Sequence, residues 1–486
     1  MQSRVNQSVP QRAGLNGPIY APNEPSKQVE VTIERQLLLS LRSDRQDVYM
    51  CHGDTYEHQI PPFHIAFSEQ KMHGSLLAVA DEEGYVSYFT TRNRKTNMPP
   101  HHQVFDHEKP RARFSAHQNA IFDLIWCAND EHIATASGDQ HVSVWDVETA
   151  AQLYHFEGHS MSVKCVRQMP DMPSVFASGS RDGNIFFWDT RYPCESQTIP
   201  HVQSFRPVES CMRCHDFEVA SVSGKDKRKK RRTSIPNAQR SVTCVEFTGD
   251  GNQLISSGAV DGMVKFWDLR TLSEDVDCLK QVRAFSCLNS SGRRYGISSL
   301  ALDHTKTKLL VSAASNDIFL YDLMRTMDDP IAKYYGHKNS SFYVKSGFSP
   351  DGNFIVSGSV DQNVYIWDVH SSGAPAAVLR GHQGEVSSVA WCKSDFTKIA
   401  SCSDDGTVRV WHMGGDDKEN YKPLSRSEHS NCSRGCGDGH AEVYPESPLP
   451  SSGMSAAQYI SPASTSRPTA GQSVTLHHFW GSRDSI

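Results

Sequence analysis

The stretch GHQGEVSSVAWCKSDFTKIASCSDDGTVRVW, residues 381–411, decides the fold. It opens on Gly381-His382, runs through an alternating apolar segment and a small-residue segment to Asp405, and places Trp411 six residues after that Asp. The same order recurs from Ala116-His117 to Asp139 and Trp145, from Gly158-His159 to Asp182 and Trp188, and from Gly336-His337 to Asp361 and Trp367. In chain order the His-to-Trp spacings are 28, 29, 30 and 29 residues. Three weaker copies, Glu83 with Phe89, Asp261 with Trp267 and Ser315 with Tyr321, fill the gaps and bring the number to seven. Independently of the motif, Val142, Val144 and Trp145, or Val364, Ile366 and Trp367, lie in short β-branched and aromatic runs. Turn residues such as Asp182-Gly183-Asn184 and Asp405-Gly406 open such runs, so they read as strands.

A period of about 40 to 45 residues, with Gly-His near its start and Trp-Asp near its end, is the WD40 signature, each unit being a four-stranded blade. The expectation is an all-β chain whose residues 29–412 form a seven-bladed WD40 β-propeller, because closing the ring removes the sheet edges that a row of strands exposes. The chain turns polar directly after Trp411, too soon for a last strand. The fourth strand of the seventh blade is therefore expected from the N-terminal side, at Val31 to Leu41. A helix competes there, since Glu34, Arg35, Gln36 and the leucines favour helix.

A length of 486 residues fits three ordinary domains or one large repeat array. Lys+Arg 49 against Asp+Glu 55 gives a net charge of -6, which argues against a globally basic nucleic-acid coat but allows a local basic patch. The apolar share of 38% is low enough to leave part of the chain outside any core, and residues 1–28 and 413–486 read as disordered. The run Leu37-Leu38-Leu39-Ser40-Leu41 is among the most apolar and falls far short of the roughly 18 to 20 residues that span a bilayer. Met1 to Gln7 leads into no hydrophobic signal core, so an intracellular protein is expected. Thirteen scattered cysteines then read as reduced thiols.

Each strong repeat contains the residue types of a hydrolase triad: His117, Thr135 and Asp139; His159, Ser178 and Asp182; His337, Ser357 and Asp361; His382, Ser401 and Asp405. Nothing in catalysis needs four evenly spaced copies, each with a Trp at fixed distance, whereas a blade can use the set as a buried hydrogen-bonded chain. In that chain Asp accepts from His, His is linked to the hydroxyl, and the hydroxyl is linked to the indole N–H of Trp145, Trp188, Trp367 or Trp411. The expectation is a non-catalytic protein with no cofactor and no metal.

Between Trp188 and Trp267 the spacing jumps to 79, so residues 194–240 hold an insertion, read as a loop and not a blade. It carries Lys225, Lys227, Arg228, Lys229, Lys230, Arg231 and Arg232, a nuclear import signal, a nucleic-acid patch or a solvated charge run. No aromatics are interleaved for stacking, which leaves nucleic-acid contact the weakest of the three. Cys211-Met212-Arg213-Cys214-His215 matches haem-attachment spacing by its letters, in a context that does not suit haem. His429, Cys432, Cys436 and His440 have zinc-type donors without hydrophobic support, so coincidental spacing is preferred. Ser447-Pro448 and Ser461-Pro462 are candidate proline-directed phosphorylation sites. Near the end, Leu476, Phe479 and Trp480 would point the same way in one tight helical turn, an apolar plug for a partner's pocket.

Several strings closely resemble the denticleless protein family, substrate receptors of cullin-4 RING ubiquitin ligases. They are Arg181-Asp182-Gly183-Asn184-Ile185, Ala259-Val260-Asp261-Gly262, Gly336 to Ser346 (GHKNSSFYVKS) and Ser394 to Ala400 (SDFTKIA), and the resemblance spans roughly residues 60 to 412. It implies docking on the ligase adaptor, the large subunit of the damaged-DNA-binding complex, through Trp-Asp-x-Arg motifs. Two repeats match: Trp188-Asp189-Thr190-Arg191 and Trp267-Asp268-Leu269-Arg270. A guanidinium at a strand end offers a planar fork of donors, suited to a bidentate contact. The resemblance also implies destruction of proteins bound to the sliding clamp PCNA, and some members of the family carry a clamp-binding box near the carboxyl terminus, which the tail at 473–480 resembles. Ser473, Leu476, Phe479 and Trp480 follow that pattern, with Ser473 where Gln is usual.

The implied function is a nuclear substrate-recognition subunit working with adaptor, cullin-4, RING subunit and PCNA in DNA replication, DNA damage and the cell cycle. Its substrates would resemble the replication-licensing factor, a cyclin-dependent-kinase inhibitor and the histone H4 lysine-20 methyltransferase. Two other classes stay open: a non-catalytic WD40 scaffold of another nuclear complex, and a hydrolase using one His/Ser/Asp set.

Overall fold

A computed structural model describes residues 38–43, 47–53, 58–91, 109–194, 199, 201–216, 240–270, 279–287, 292, 294–325 and 328–413. Residues 1–28, the basic cluster from Lys225 to Arg232, the histidines and cysteines from His429 to His440, the two Ser-Pro sites and the box at 473–480 lie outside the described residues.

The alternating sequence pattern becomes seven sheets, antiparallel but for one parallel edge strand. Their inner strands, in blade order 1 to 7, are Pro62–Phe67, Ile121–Cys127, Val163–Met169, Val242–Phe247, Ile297–Leu302, Ser346–Phe348 and Val386–Trp391. The third strands are Tyr85–Thr90, Val142–Asp146, Ile185–Asp189, Met263–Asp268, Asp317–Asp322, Asn363–Asp368 and Thr407–Met413, so each Trp-Asp pair or its substitute sits at a third-strand end. Between second and third strands the chain reverses in a tight turn that places Gly183 at φ +89° and Gly406 at φ +75°, conformations that side chains with a Cβ rarely adopt. Strand direction alternates within a blade. Inner-strand starts and these turns therefore share one face of the ring, and third-strand ends lie on the opposite face.

The core is a ring of seven apolar clusters, one at each junction between neighbouring blades. Val144 and Phe156 of blade 2, for example, pack on Val163, Phe176 and Trp188 of blade 3. The cluster that joins blade 7 to blade 1, through Cys402, Val408 and Val410 against Ile65 and Leu77, completes the circle. Apolar side chains on both sheet faces are thus removed from water, which is why these strands carry apolar residues beyond simple alternation.

The closing strand does come from the N-terminal side, but in two pieces, of which only Leu41 falls within the expected Val31 to Leu41. Leu41–Arg42 and Val48–Met50 both pair with Thr407–Met413, in the registers Leu41↔Met413 and Tyr49↔Val408. Residues 31–37 lie outside the described residues. The leucines serve a different end: Leu38 and Leu41 bury against Trp391 and Trp411 at the junction of blades 6 and 7. The β-branched and aromatic Val48-Tyr49 takes the edge hydrogen bonds, as strand propensity favours.

The insertion at 194–240 is likewise more than a loop. Glu209–Cys211 pairs with Ile185–Asp189 as the outer strand of blade 3, and Gln203–Phe205 adds a parallel fifth strand to blade 2 against Tyr154, His155 and Phe156. Val202, Phe205, Cys211 and Cys214 are buried there, and hydrophobic burial draws the segment onto the blades.

Candidate functional site

Three of the four expected His chains form. His117 bonds Asp139 through Nδ1 (2.8 Å) and Thr135 through Nε2 (2.7 Å), and the Trp145 indole donates to the same hydroxyl at 3.1 Å. His159 with Asp182, Ser178 and Trp188, and His382 with Asp405, Ser401 and Trp411, repeat the arrangement with every contact between 2.8 and 3.1 Å. Each serine or threonine in these chains is completely buried and held on both sides. No hydroxyl is presented to a substrate, so the arrangement stiffens blades and offers no nucleophile. Burial opposes ionisation of Asp139, Asp182 and Asp405. The hydrogen bond from each histidine nevertheless wins and holds the carboxyl below its usual range.

Blade 6 departs from the expectation: His337, Ser357, Asp361 and Trp367 are not linked. The Tyr365 phenol donates to Asp361 at 2.7 Å, the Trp367 indole donates to the Tyr335 carbonyl at 3.0 Å, and Ser357 donates to the Gly358 carbonyl. Tyr365 stands where the other blades have Ser143, Phe186 and Arg409, and its hydroxyl reaches the Asp first. His337 keeps its edge-on contact with Trp367 at 5.4 Å, yet among the described residues neither ring nitrogen has a hydrogen-bond partner. Burial pulls its pKa from 6.5 down to about 4. Because the unfolded chain takes up this proton below about pH 6.5 and the folded chain only near pH 4, stability falls as pH drops through that window. The His337→Phe variant is expected to flatten the acid limb of a urea-midpoint-versus-pH curve and to match or exceed wild-type stability at pH 7. His382→Phe, which strips Ser401 and Asp405 of their partner, is expected to lower it.

A further chain was not foreseen. His215 bonds Asp261 at 2.7 Å and Ser256 at 2.9 Å, and Trp267 donates to Ser256 at 2.8 Å. Its His lies 46 residues before its Asp and follows Cys214 in place of Gly or Ala, so the repeat period hides it. Both ring nitrogens of the haem-like Cys-Met-Arg-Cys-His string are thereby committed to a blade. The legible signal was a Trp-Asp copy with Ser256 and Asp261 in place and no histidine assigned to it.

The inner strands also converge on one buried carboxylate, Asp123. One oxygen accepts from Arg167 Nη1 (2.6 Å) and the Val166 amide (3.0 Å); the other meets Lys345 Nζ (3.1 Å) and His64 Nε2 (3.2 Å). Arg167 continues to Glu246 at 2.6 Å, and His64 Nδ1 lies 3.1 Å from both Lys345 Nζ and Ser388 Oγ. Blades 1, 2, 3, 4, 6 and 7 are joined through this axle. Burial opposes the charge on Asp123, but Arg167 and Lys345 hold its carboxyl well below the usual range. Burial and the Lys345 ammonium pull His64 down to about 3, so the ring is neutral, accepting at Nδ1 and donating from Nε2.

On the opposite face, at third-strand ends of blades 3 and 4, lie the two expected arginines. Arg191 Nε and Nη2 donate to Asp189 at 2.8 to 3.0 Å, and Arg270 donates to Asp268 at 3.1 and 3.3 Å. The aspartates are buried, while the arginine side chains remain 50% and 56% exposed. Each carboxylate thus holds one edge of a guanidinium whose side chain stays about half exposed, which fixes the fork before any partner arrives. Blade 5 extends the row through Arg325, 3.2 Å from Asp322 at its own third-strand end. That pair escaped notice because Tyr321 replaces Trp and the Arg is one position later.

Comparison with known proteins agrees with this architecture. The family described as WD domain, G-beta repeat matches residues 108–146, 150–189, 328–368 and 373–412, and that described as Nucleolar protein 10-like, N-terminal domain matches residues 227–342. The Denticleless protein homolog of Danio rerio is 39% identical over 375 residues, covering 76% of this chain and 54% of the relative. The Homo sapiens homologue is 37% identical over 386 residues, 78% of this chain and 50% of the relative. Protein lethal(2)denticleless of Drosophila melanogaster is 32% identical over 381 residues, 77% and 47%. The chain spans about half the length of these relatives. Seven blades and an identity that runs through the propeller from vertebrates to an insect lead to one assignment: the chain belongs, through its propeller, to the family of denticleless protein homologues.

Proposed function

We propose that this propeller is the substrate-recognition subunit of a cullin-4 RING ubiquitin ligase. In this reading it docks on the adaptor through Arg191 and Arg270 and presents PCNA-bound replication and cell-cycle proteins for ubiquitination in the nucleus. The observation that carries the reading is the pair of carboxylate-held, half-exposed arginines on neighbouring blades of one face. Preorganised guanidinium groups lose little freedom on binding and suit the acidic or carbonyl-rich rim of a second propeller. The chain does no chemistry of its own. Holding a substrate lysine near a charged conjugating enzyme replaces a bimolecular encounter with an effectively intramolecular one. A clamp contact by Ser473, Leu476, Phe479 and Trp480 would add avidity, and the cluster from Lys225 to Arg232 would direct nuclear import.

The test is affinity purification of wild type and the Arg191→Ala/Arg270→Ala variant from cycling cells, with partners identified by mass spectrometry. Wild type is expected to recover adaptor, cullin-4 and clamp. The variant is expected to keep a wild-type far-ultraviolet spectrum and bind adaptor about 30-fold more weakly, about 2 kcal/mol. Adaptor and cullin at wild-type levels with the double variant would sink the docking assignment. Their absence from both preparations would favour a scaffold of another complex.

A further inference from the structure

The face opposite the two arginines opens into a cavity of about 430 Å³ at the mouth of the central channel. Its floor and one wall are aromatic: Phe63, Phe122 and Tyr343 lie nearly parallel, with ring centroids 5.4 to 6.0 Å apart and interplanar angles of 7° to 15°. Phe342, Tyr343 and Val260 on its rim are more than two-fifths exposed, so three large apolar side chains meet water at one opening. The other wall is cationic. Lys164 Nζ sits 3.2 Å from the centroid of the Phe122 ring, and Arg181 lines the same cavity from the turn of blade 3. Among the described residues neither cation has an ion-pair partner; the Asp123 carboxylate nearby is already taken by Arg167, Lys345 and His64. Burial, then the charges of Arg181 and Lys345, pulls the Lys164 ammonium down to about 7, the position of a cation short of a counter-ion.

We infer that this channel mouth binds an extended peptide segment of a partner protein, seating a carboxylate side chain between Lys164 and Arg181 and an adjacent apolar side chain on the Phe63–Phe122–Tyr343 stack. The cavity holds one or two side chains, and its polar and apolar walls stand side by side. That geometry reads neighbouring residues of one chain. Nucleic acid fits less well. Two cations lining one small cavity can neutralise one carboxylate but are few for the successive charges of a phosphodiester strand. Because the cavity and the two arginines lie on opposite faces, a peptide in the channel leaves the adaptor face free, and the assignment does not depend on adaptor docking.

The test pans a displayed library of random short peptides against the full chain and measures recovered peptides by fluorescence anisotropy. Recovered sequences are expected to share an Asp or Glu beside an aromatic or aliphatic residue. Changing that acid to its amide should weaken binding about tenfold, as should Lys164→Gln/Arg181→Gln. Val260→Glu, a surface change at the rim that places a like charge beside the anion, should weaken binding as well without touching either cation. Recovery of no peptide, of peptides without an acidic residue, or of peptides indifferent to all three variants overturns the assignment. Tighter binding of an oligothymidylate probe, lost with Lys164→Gln/Arg181→Gln, overturns it in favour of a single-stranded nucleic-acid site.

Discussion

Asp123→Ala is expected to lower the unfolding free energy by about 3–5 kcal/mol, read as a shift in the urea midpoint at pH 7. The loss does not come from the missing side chain alone. Removing the carboxylate leaves the Lys345 ammonium without a counter-charge at the centre of the ring and Arg167 with Glu246 alone, and leaves the Val166 amide and His64 Nε2–H without an acceptor. An unpaired buried charge costs far more than a surface one, and here the Lys345 ammonium also faces the Arg167 guanidinium across the void. Asp123→Asn keeps the shape and one acceptor and should fall between alanine and wild type. The effect is a large fraction of the roughly 5–15 kcal/mol that holds a folded domain together. A loss below about 1 kcal/mol for alanine would mean that the six blades meeting here hold together without the axle.

Ser178→Ala is the second large change, expected to cost about 2–4 kcal/mol. The Ser178 hydroxyl accepts from the Trp188 indole at 2.9 Å and lies 2.8 Å from His159 Nε2, which must accept because Nδ1 donates to Asp182. Alanine leaves both partners unsatisfied in a fully buried site, and each stranded group costs about 1–3 kcal/mol. The informative control is Ser357→Ala in blade 6, where the serine donates only to the Gly358 carbonyl. That substitution should cost no more than about 1 kcal/mol, the net worth of one ordinary hydrogen bond. Equal losses at the two positions would show that the chain adds nothing beyond the serine itself. A large loss at Ser178 alone would make the linked His, Ser and Asp groups the stiffening element of their blade.

The blade number, the strand-by-strand alternation and the position of the two Asp–Arg pairs were legible in the residues, because each is local. A Trp-Asp-x-Arg string puts its own carboxylate two residues from its own guanidinium, and nothing distant is needed to bring them together. The His337 set shows the limit of such reasoning. All four letters are present at the right spacing, yet one phenol, Tyr365, takes the acceptor and the chain does not form. His215 shows the reverse: the chemistry is present and the spacing is not.

What the sequence determined by itself, then, was the repeat, the closed ring that seven repeats make, and the family to which its specific strings belong. Only the tertiary structure decided which N-terminal residues close the ring, which buried histidines have partners, and where the channel gathers its charges. Asp123, Arg167, Lys345 and His64 are single polar residues on or beside inner strands of four different blades, up to 281 positions apart. No period or motif connects them. They meet because ring closure brings every inner strand to one axis, and a charge forced out of water there must find its counter-charge on whichever blade supplies one.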